Sequence, residues 1–224
     1  MKRTLIIFLL IGILIIPVFA EDKIVLKTDK EKVSYSIGFD IGSSFKRQSI
    51  DVDLDVFLRG MKDAFDGGDA LLSAKEQREA IMAFQKEQKE IMALKNKETG
   101  KRFLSDNKGK PGVVTLKSGL QYKVIVEGKG PKPKDTDTVK THYRGKLIDG
   151  TEFDSSYTRG EPASFPVKGV IKGWTEALQL MNVGSKWELY IPSDLAYGDS
   201  GAGPRIGPGA TLIFEIELLE IVKK

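Results

Sequence analysis

The chain has 224 residues, 41% hydrophobic and 29% charged, the make-up of a globular protein of one large domain or two modest ones. Its formal charge of +4 comes from 35 basic and 31 acidic residues, and Lys2 and Arg3 carry two of those charges, so the remainder leaves no electrostatic footprint for nucleic acid. The absence of cysteine excludes disulfides, thiolate catalysis, thiolate-bound zinc and a lipidated N-terminal cysteine, and a single histidine is too few for a His-based metal site.

Residues 1–20 have the three-part layout of a secretory signal. Lys2 and Arg3 precede an apolar run from Leu5 to Ile16, and Pro17 leads into the small-residue end Val18-Phe19-Ala20 before Glu21-Asp22-Lys23. Cleavage after Ala20 is expected. The alternative, an uncleaved anchor, is disfavoured because the run falls just short of the roughly 18 to 20 apolar residues of a spanning helix. A mature chain outside the cytoplasm needs no nucleotide, and no phosphate-cradling Gly-Lys-Ser/Thr loop is present.

Helical periodicity follows the leader. Thr28-Asp29-Lys30-Glu31 has capping-box spacing, and Val33, Ile37, Ile41 and Phe45 then recur at steps of four along one side of a first helix. Gly38 and Gly42, one turn apart on it, cost helix stability and point to close approach by another helix. Leu54, Phe57, Leu58, Met61, Ala64 and Phe65 mark a second amphipathic helix between Asp53 and Gly67-Gly68. Ser73-Ala74-Lys75-Glu76 opens a third, which runs to about Leu104 and measures on the order of 48 Å at 1.5 Å per residue. Gln77, Gln88 and Lys95 interrupt its apolar seam, so it reads as an exposed stalk rather than a continuous coiled coil. The short helices bring more apolar side chains than the stalk covers, and a homodimer through these N-terminal helices is expected. The competing reading is a monomeric helical cap folded back on the second domain.

The pattern changes near Gly109-Lys110-Pro111-Gly112, after which apolar residues alternate as in strands. Leu120, Tyr122, Val124 and Val126 form one set; Trp187, Leu189 and Ile191 a second; Leu212, Phe214, Ile216 and Leu218 a third. Trp174, Ala177, Leu178 and Met181 form the stripe of one short helix that interrupts them. Separate strands with one covering helix, and no regular strand–helix alternation, predict an α+β fold with an antiparallel sheet. The domain boundaries expected are a signal peptide over 1–20, a helical module over 21–72, a long connecting helix over 73–110 and the strand-rich domain over 111–224.

The chain's one histidine lies in "THYRGKLIDGTEFDSS" beside Asp154, Ser155 and Ser156, the residue types of a Ser/His/Asp hydrolase. On a strand over Val139 to Leu147, however, His142 shares a face with Lys140, Arg144 and Lys146, while Val139, Thr141, Tyr143 and Leu147 face the other way. Nothing like Gly-x-Ser-x-Gly surrounds either serine. His142 therefore reads as a solvated surface residue.

The segments "HYRGKLIDGTEFDSSY", "VIKGWTEALQLMNVGSKWELYIPSDLAYG" and "PGATLIFEIELLEI" together resemble the FKBP-type peptidyl-prolyl cis-trans isomerases, in order from about Gly112 to Val222. The helical region "KVSYSIGFDIGSSFKRQSIDVDLDVFLRGMKDA" resembles the N-terminal dimerisation module of the Mip/FkpA branch of that family. The resemblance implies an FKBP-like sheet wrapped around one short helix, no cofactor and no metal. It implies proline-containing polypeptides as substrates, macrolides as inhibitors, and help to folding clients in a bacterial periplasm, with outer-membrane association left open. It also implies an apolar proline pocket. Tyr143, Phe153, Asp154, Tyr197 and Phe214 carry its catalytic part, and Phe165, Val170, Ile171 and Trp174 complete the binding surface, with Trp174 as floor. Tyr197 and the backbone N–H of Ile171 are the expected donors to substrate carbonyls. Asp154 is costly to bury alone, so Tyr143 or Arg159 is the partner expected. The sequence departs from the family pattern in a short Phe165–Val170 segment and at Ala202, where many relatives have histidine, which tells against general acid catalysis from that loop.

Overall fold

The computed structural model describes residues 25–48 and 50–222, and the predicted signal peptide lies outside them. The chain separates into two compact units, one ending at Gly67 and the other beginning at Gly68.

The first unit contains two helices, α1 (Asp29–Gln48) and α2 (Leu54–Phe65). The predicted capping box closes the start of α1: the Glu31 N–H donates to Thr28 Oγ1, and Glu31 Oε2 accepts from the Thr28 N–H at 2.9 Å. Asp53 caps α2 by accepting from the N–H groups of Asp55 and Val56. The rings of Phe45 and Phe57 meet edge to face at 5.3 Å and join the two helices. Val33, Ile37, Leu54, Leu58 and Met61 nevertheless remain exposed, and a Cβ on Gly38 or Gly42 would meet nothing within 4 Å.

The second unit begins with α3 (Ala74–Asn107), 34 residues and therefore about 51 Å long. Ser73 and Glu76 form the capping box expected of its N-terminus. No residue of α3 before Ala93 is buried. Beyond that point Ala93, Gly100 and Asn107, spaced by seven, form a buried stripe of small or polar side chains along one face. The Gln121 amide donates to the Leu104 carbonyl at 2.8 Å and accepts from Asn107 Nδ2 at 3.0 Å, while Phe103 lies 6.0 Å from the Tyr190 ring. The second half of the stalk is thus built into the globular unit.

The sheet comprises β1 (Val113–Thr115), β2 (Gln121–Val126), β3 (Thr138–Leu147), β4 (Glu152–Ser155), β5 (Ala163–Pro166), β6 (Lys186–Ile191) and β7 (Leu212–Val222). All pairings are antiparallel, in the order β1-β2-β6-β7-β3-β4, with β5 also on β3. Along β3 the expected alternation holds: Val139, Thr141, Tyr143 and Gly145 are buried, and Lys140, His142, Arg144 and Lys146 are less so. A second helical element, α4 (Ser156–Arg159), adds one turn that the strand pattern does not announce, and Gly160 ends it at φ 82°. Helix α5 (Lys172–Leu178) crosses the inner face of the sheet and buries Trp174, Ala177 and Leu178 among Val139, Leu189, Ile191 and Ile216. Met181 falls in the turn beyond α5 but is fully buried, as its place in the stripe requires. Gly173 permits this close crossing, since a Cβ there would lie 2.6 Å from the Ile191 side chain. The structure therefore has the α+β architecture that the sequence predicts.

Candidate active site

The site forms where the inner face of the sheet, the start of α5 and the loop before β7 meet. Tyr143 reaches it from the middle of β3, and Phe214 from β7, opposite Gly145. The missing side chain at Gly145 makes room for two rings: a Cβ there would lie 2.5 Å from Phe153 and 2.7 Å from Phe214. Phe165 comes from β5, which pairs with the first half of β3. Val170 and Ile171 come from the segment that leads into α5, and Trp174 from its first turn.

These elements enclose a cavity of about 390 Å³ lined by Tyr143, Asp154, Phe165, Gly169, Val170, Ile171, Trp174, Tyr197 and Phe214. Eight of the nine residues named from the sequence converge on it. Phe153 does not line it; that ring stands edge-on to Phe214 at 5.5 Å and faces an adjoining cavity of about 340 Å³, shared with Asp154, Tyr197 and the loop from Ala202 to Ile206. Gly169 and the spacing role of Gly145 were not anticipated. The only signal for Gly145 is a glycine inside an alternating strand, a mark of close approach by another group.

Trp174 is the floor: 4% exposed, it meets Tyr143 at 5.4 Å, Phe165 at 5.7 Å and Phe214 at 5.2 Å, each edge to face. Its indole N–H is buried with no hydrogen-bond partner among the described residues. Edge-to-face packing fixes these rings more firmly than burial alone, by about 0.5–1.5 kcal/mol per pair.

One wall is polar. The Tyr143 hydroxyl donates to Asp154 Oδ2 at 2.6 Å and accepts from Arg159 Nη2 at 2.6 Å; Arg159 also pairs directly with Asp154. Both partners expected for Asp154 are therefore present. Burial pushes the Asp154 carboxyl up, but the Tyr143 hydroxyl and the Arg159 guanidinium outweigh it and hold the group below the ordinary aspartate range. Burial also raises the Tyr143 hydroxyl, and the bond to Asp154 adds to the rise. Tyr197, 39% exposed at the mouth, makes no side-chain hydrogen bond among the described residues; burial and the Asp154 charge keep its hydroxyl protonated. The Ile171 N–H likewise has no acceptor among the described residues, while its carbonyl starts α5 by accepting from Trp174 and Thr175.

His142 differs from its expected role as a freely solvated side chain. It is half-buried, stacked on Tyr157 at 4.7 Å, with Nδ1 3.0 Å from Ser156 Oγ. Ser156 is fully buried and binds the Tyr143 backbone, so the pair is a structural pin outside the cavity rather than a nucleophile and base. Among the described residues no group of three or more His, Cys, Asp or Glu side chains is placed to hold a metal ion.

An antiparallel sheet packed on helix α5, with an aromatic cavity rimmed by an O–H and an N–H donor, defines a site suited to an apolar group flanked by hydrogen-bond acceptors. Comparison with known proteins identifies the class. Residues 130–219 match the FKBP-type peptidyl-prolyl cis-trans isomerase family, and residues 30–124 match the domain amino-terminal to such isomerases. Outer membrane protein MIP of Legionella longbeachae is 49% identical, over 91% of each chain, and peptidyl-prolyl cis-trans isomerase Mip of Coxiella burnetii is 44% identical over the whole of both. The crystal structure of FkpA from Escherichia coli superposes with a TM-score of 0.65 at 41% identity, covering 88% of this chain and 98% of that one. The chain belongs to the FKBP-type peptidyl-prolyl cis-trans isomerases and is an enzyme that interconverts cis and trans X-Pro bonds.

Proposed function

We propose that catalysis rests on withdrawal of water from the X-Pro amide within the aromatic cavity. Peptide rotation faces about 18 to 20 kcal/mol because twisting destroys C–N resonance. Water favours the planar, more polar amide. A site lined by Tyr143, Phe165, Val170, Trp174 and Phe214 removes that solvation, while Tyr197 and the Ile171 N–H bind substrate carbonyls. Asp154 shapes the wall around the twisted carbonyl, and Phe153 acts from the adjoining cavity by bracing the Phe214 ring edge-on. A barrier lowered by about 4 to 5.5 kcal/mol gives three to four decades in rate. The observation that carries this reading is the aromatic floor with two donors at its rim, Tyr197 Oη and Ile171 N, that have no acceptor among the described residues. Macrolides of the FKBP-inhibitor class fit the same combination. A proline-limited refolding assay tests it: wild-type rates in a protein carrying Asp154→Ala and Tyr197→Phe would overturn the assignment.

The wider organisation belongs to the same proposal. The chain acts in the bacterial periplasm after cleavage behind Ala20, free or at the outer membrane, and assists folding clients. Residues 21–72 form a dimerisation module, 73–110 a connecting arm and 111–224 the isomerase domain. The exposed apolar faces of α1 and α2 support the dimer, because so much apolar surface in so small a unit calls for a cover. Sedimentation at micromolar concentration giving a monomer mass would remove it. The same surface favours a second activity, non-catalytic holding of unfolded chains. Suppression of aggregation by a full chain whose pocket is inactivated tests that activity.

A further inference from the structure

Among the described residues the Tyr197 side chain has no polar contact of its own, so its position at the pocket mouth is set by the backbone that carries it. That backbone leads into the segment from Gly198 to Thr211, which forms the outer wall of the second cavity. Backbone contacts close the segment on itself: the Gly209 N–H donates to the Gly198 carbonyl at 2.9 Å, the Ala210 N–H to the Gly207 carbonyl at 3.3 Å, and Ala202 and Ile206 form a backbone bridge. Arg205 ties the tip to the Phe153 carbonyl at 3.0 Å. Ile206, Ala202 and Ala210 pack the segment on the hydrophobic core, and one face of α3 holds its outer side, at positions i, i+3, i+4 and i+7. Gly209, at φ 71°, lies so close to Ala93 that a Cβ would be 2.4 Å from the Ala93 carbonyl oxygen. Asn96 Nδ2 donates to the Pro208 carbonyl at 2.8 Å, and Lys97 pairs with Asp199 at 2.6 Å, two residues from Tyr197. A Cβ on Gly100 would strike the buried Thr211 hydroxyl at 2.0 Å.

We propose that Asn96, Lys97 and Gly100 of α3 are positioning residues for the isomerase: they clamp the Gly198–Thr211 segment and so fix Tyr197 at the mouth of the proline pocket. The inference rests on the reading of Tyr197 as a carbonyl donor. The route is short and continuous. From Ala93 it runs through Gly209 and the Gly198 carbonyl to Tyr197, and from Lys97 through Asp199 to the same turn. Two glycines set the separation, Gly100 of the helix against Thr211 and Gly209 of the segment against Ala93, and two polar side chains set the register. A fixed donor places a substrate carbonyl in one geometry, and misplacement by an ångström costs rate.

The test uses the full mature chain, with kcat and KM measured by exchange NMR on an Ala-Pro peptide. The double variant Asn96→Ala, Lys97→Ala should lose about three- to tenfold in kcat/KM, while Lys97→Arg, which keeps the charge, stays near wild type. In a Tyr197→Phe background the double variant should cause no further loss, and the amide resonances of Gly198 and Gly209 should move in both contexts. Asp199→Ala, at an exposed position, repeats the perturbation from the loop side without touching the helix. Wild-type kinetics in the double variant beside an impaired Tyr197→Phe would overturn the clamp and spare the role of Tyr197. Losses that multiply in full with Tyr197→Phe would overturn the route through that residue. A wild-type rate for Tyr197→Phe would remove the donor assignment and the clamp with it.

Discussion

Replacing Tyr143 with phenylalanine isolates the polar wall of the pocket from its aromatic packing. The ring contacts to Trp174 and Phe165 survive the change; only the hydroxyl, shared between Asp154 and Arg159 at 2.6 Å to each, is lost. A hydrogen bond to a charged group contributes about 1.5–3 kcal/mol. Asp154 and Arg159 keep each other, however, and their side chains are 44% and 45% exposed, so water replaces part of what is removed. A net loss of about 1 kcal/mol at pH 7 follows, about 2–4 °C in Tm for a chain of this size. The Asp154 carboxyl should titrate higher in the variant, because a bond that lowers it is gone. The sign of the pH dependence is fixed by that direction. Asp154 sits below its ordinary value of 3.8 in the folded protein, so its contribution is complete above that value and disappears as pH falls through the folded pKa. The stability gap between wild type and Tyr143→Phe should therefore shrink below about pH 4. Urea unfolding at several pH values and a carbon-detected NMR titration of Asp154 measure both quantities. Equal stability at pH 7 together with an unmoved Asp154 titration would refute the account of the wall.

Gly145→Ala should drive the Phe153 and Phe214 rings apart, costing about 1–3 kcal/mol of stability and depressing isomerase activity by more than its effect on folding; activity assayed well below the unfolding midpoint separates the two. Leu178→Ala, at a fully buried position of α5, should destabilise by about 2–5 kcal/mol in denaturant titration. Ser73→Ala removes the capping box of α3 and should cost about 1 kcal/mol, seen as faster amide exchange confined to the first turn, with isomerase rates unchanged.

The alternation of β3 and the stripe of α5 were legible because each element buries one face, and one-sided burial imposes a period of two or of 3.6. The helix caps were legible because unsatisfied N–H groups demand particular side chains at particular spacings. Asp154 was readable as needing a partner, since a carboxylate among aromatic rings is costly to bury alone. What stayed hidden depends on contacts far apart in sequence. The half-burial of His142 comes from Ser156 and Tyr157, carried up against it by the one-turn helix α4. The fastening of the stalk depends on Gly100 meeting Thr211 and Asn107 meeting Gln121, and no local period encodes those pairs. Phe153 turns out of the main cavity because β4 shifts register against β3 between Gly145 and Lys146.

The chain has two tryptophans, and they occupy opposite situations. Trp187 is stacked flat against Tyr122 at 4.2 Å within the sheet, while Trp174 lines the aromatic cavity. Trp187 does not line the cavity and Trp174 does, so a ligand that enters it should change the emission of Trp174 and leave that of Trp187 as background. Titration without any attached dye should then gauge how tightly an unlabelled proline peptide is held.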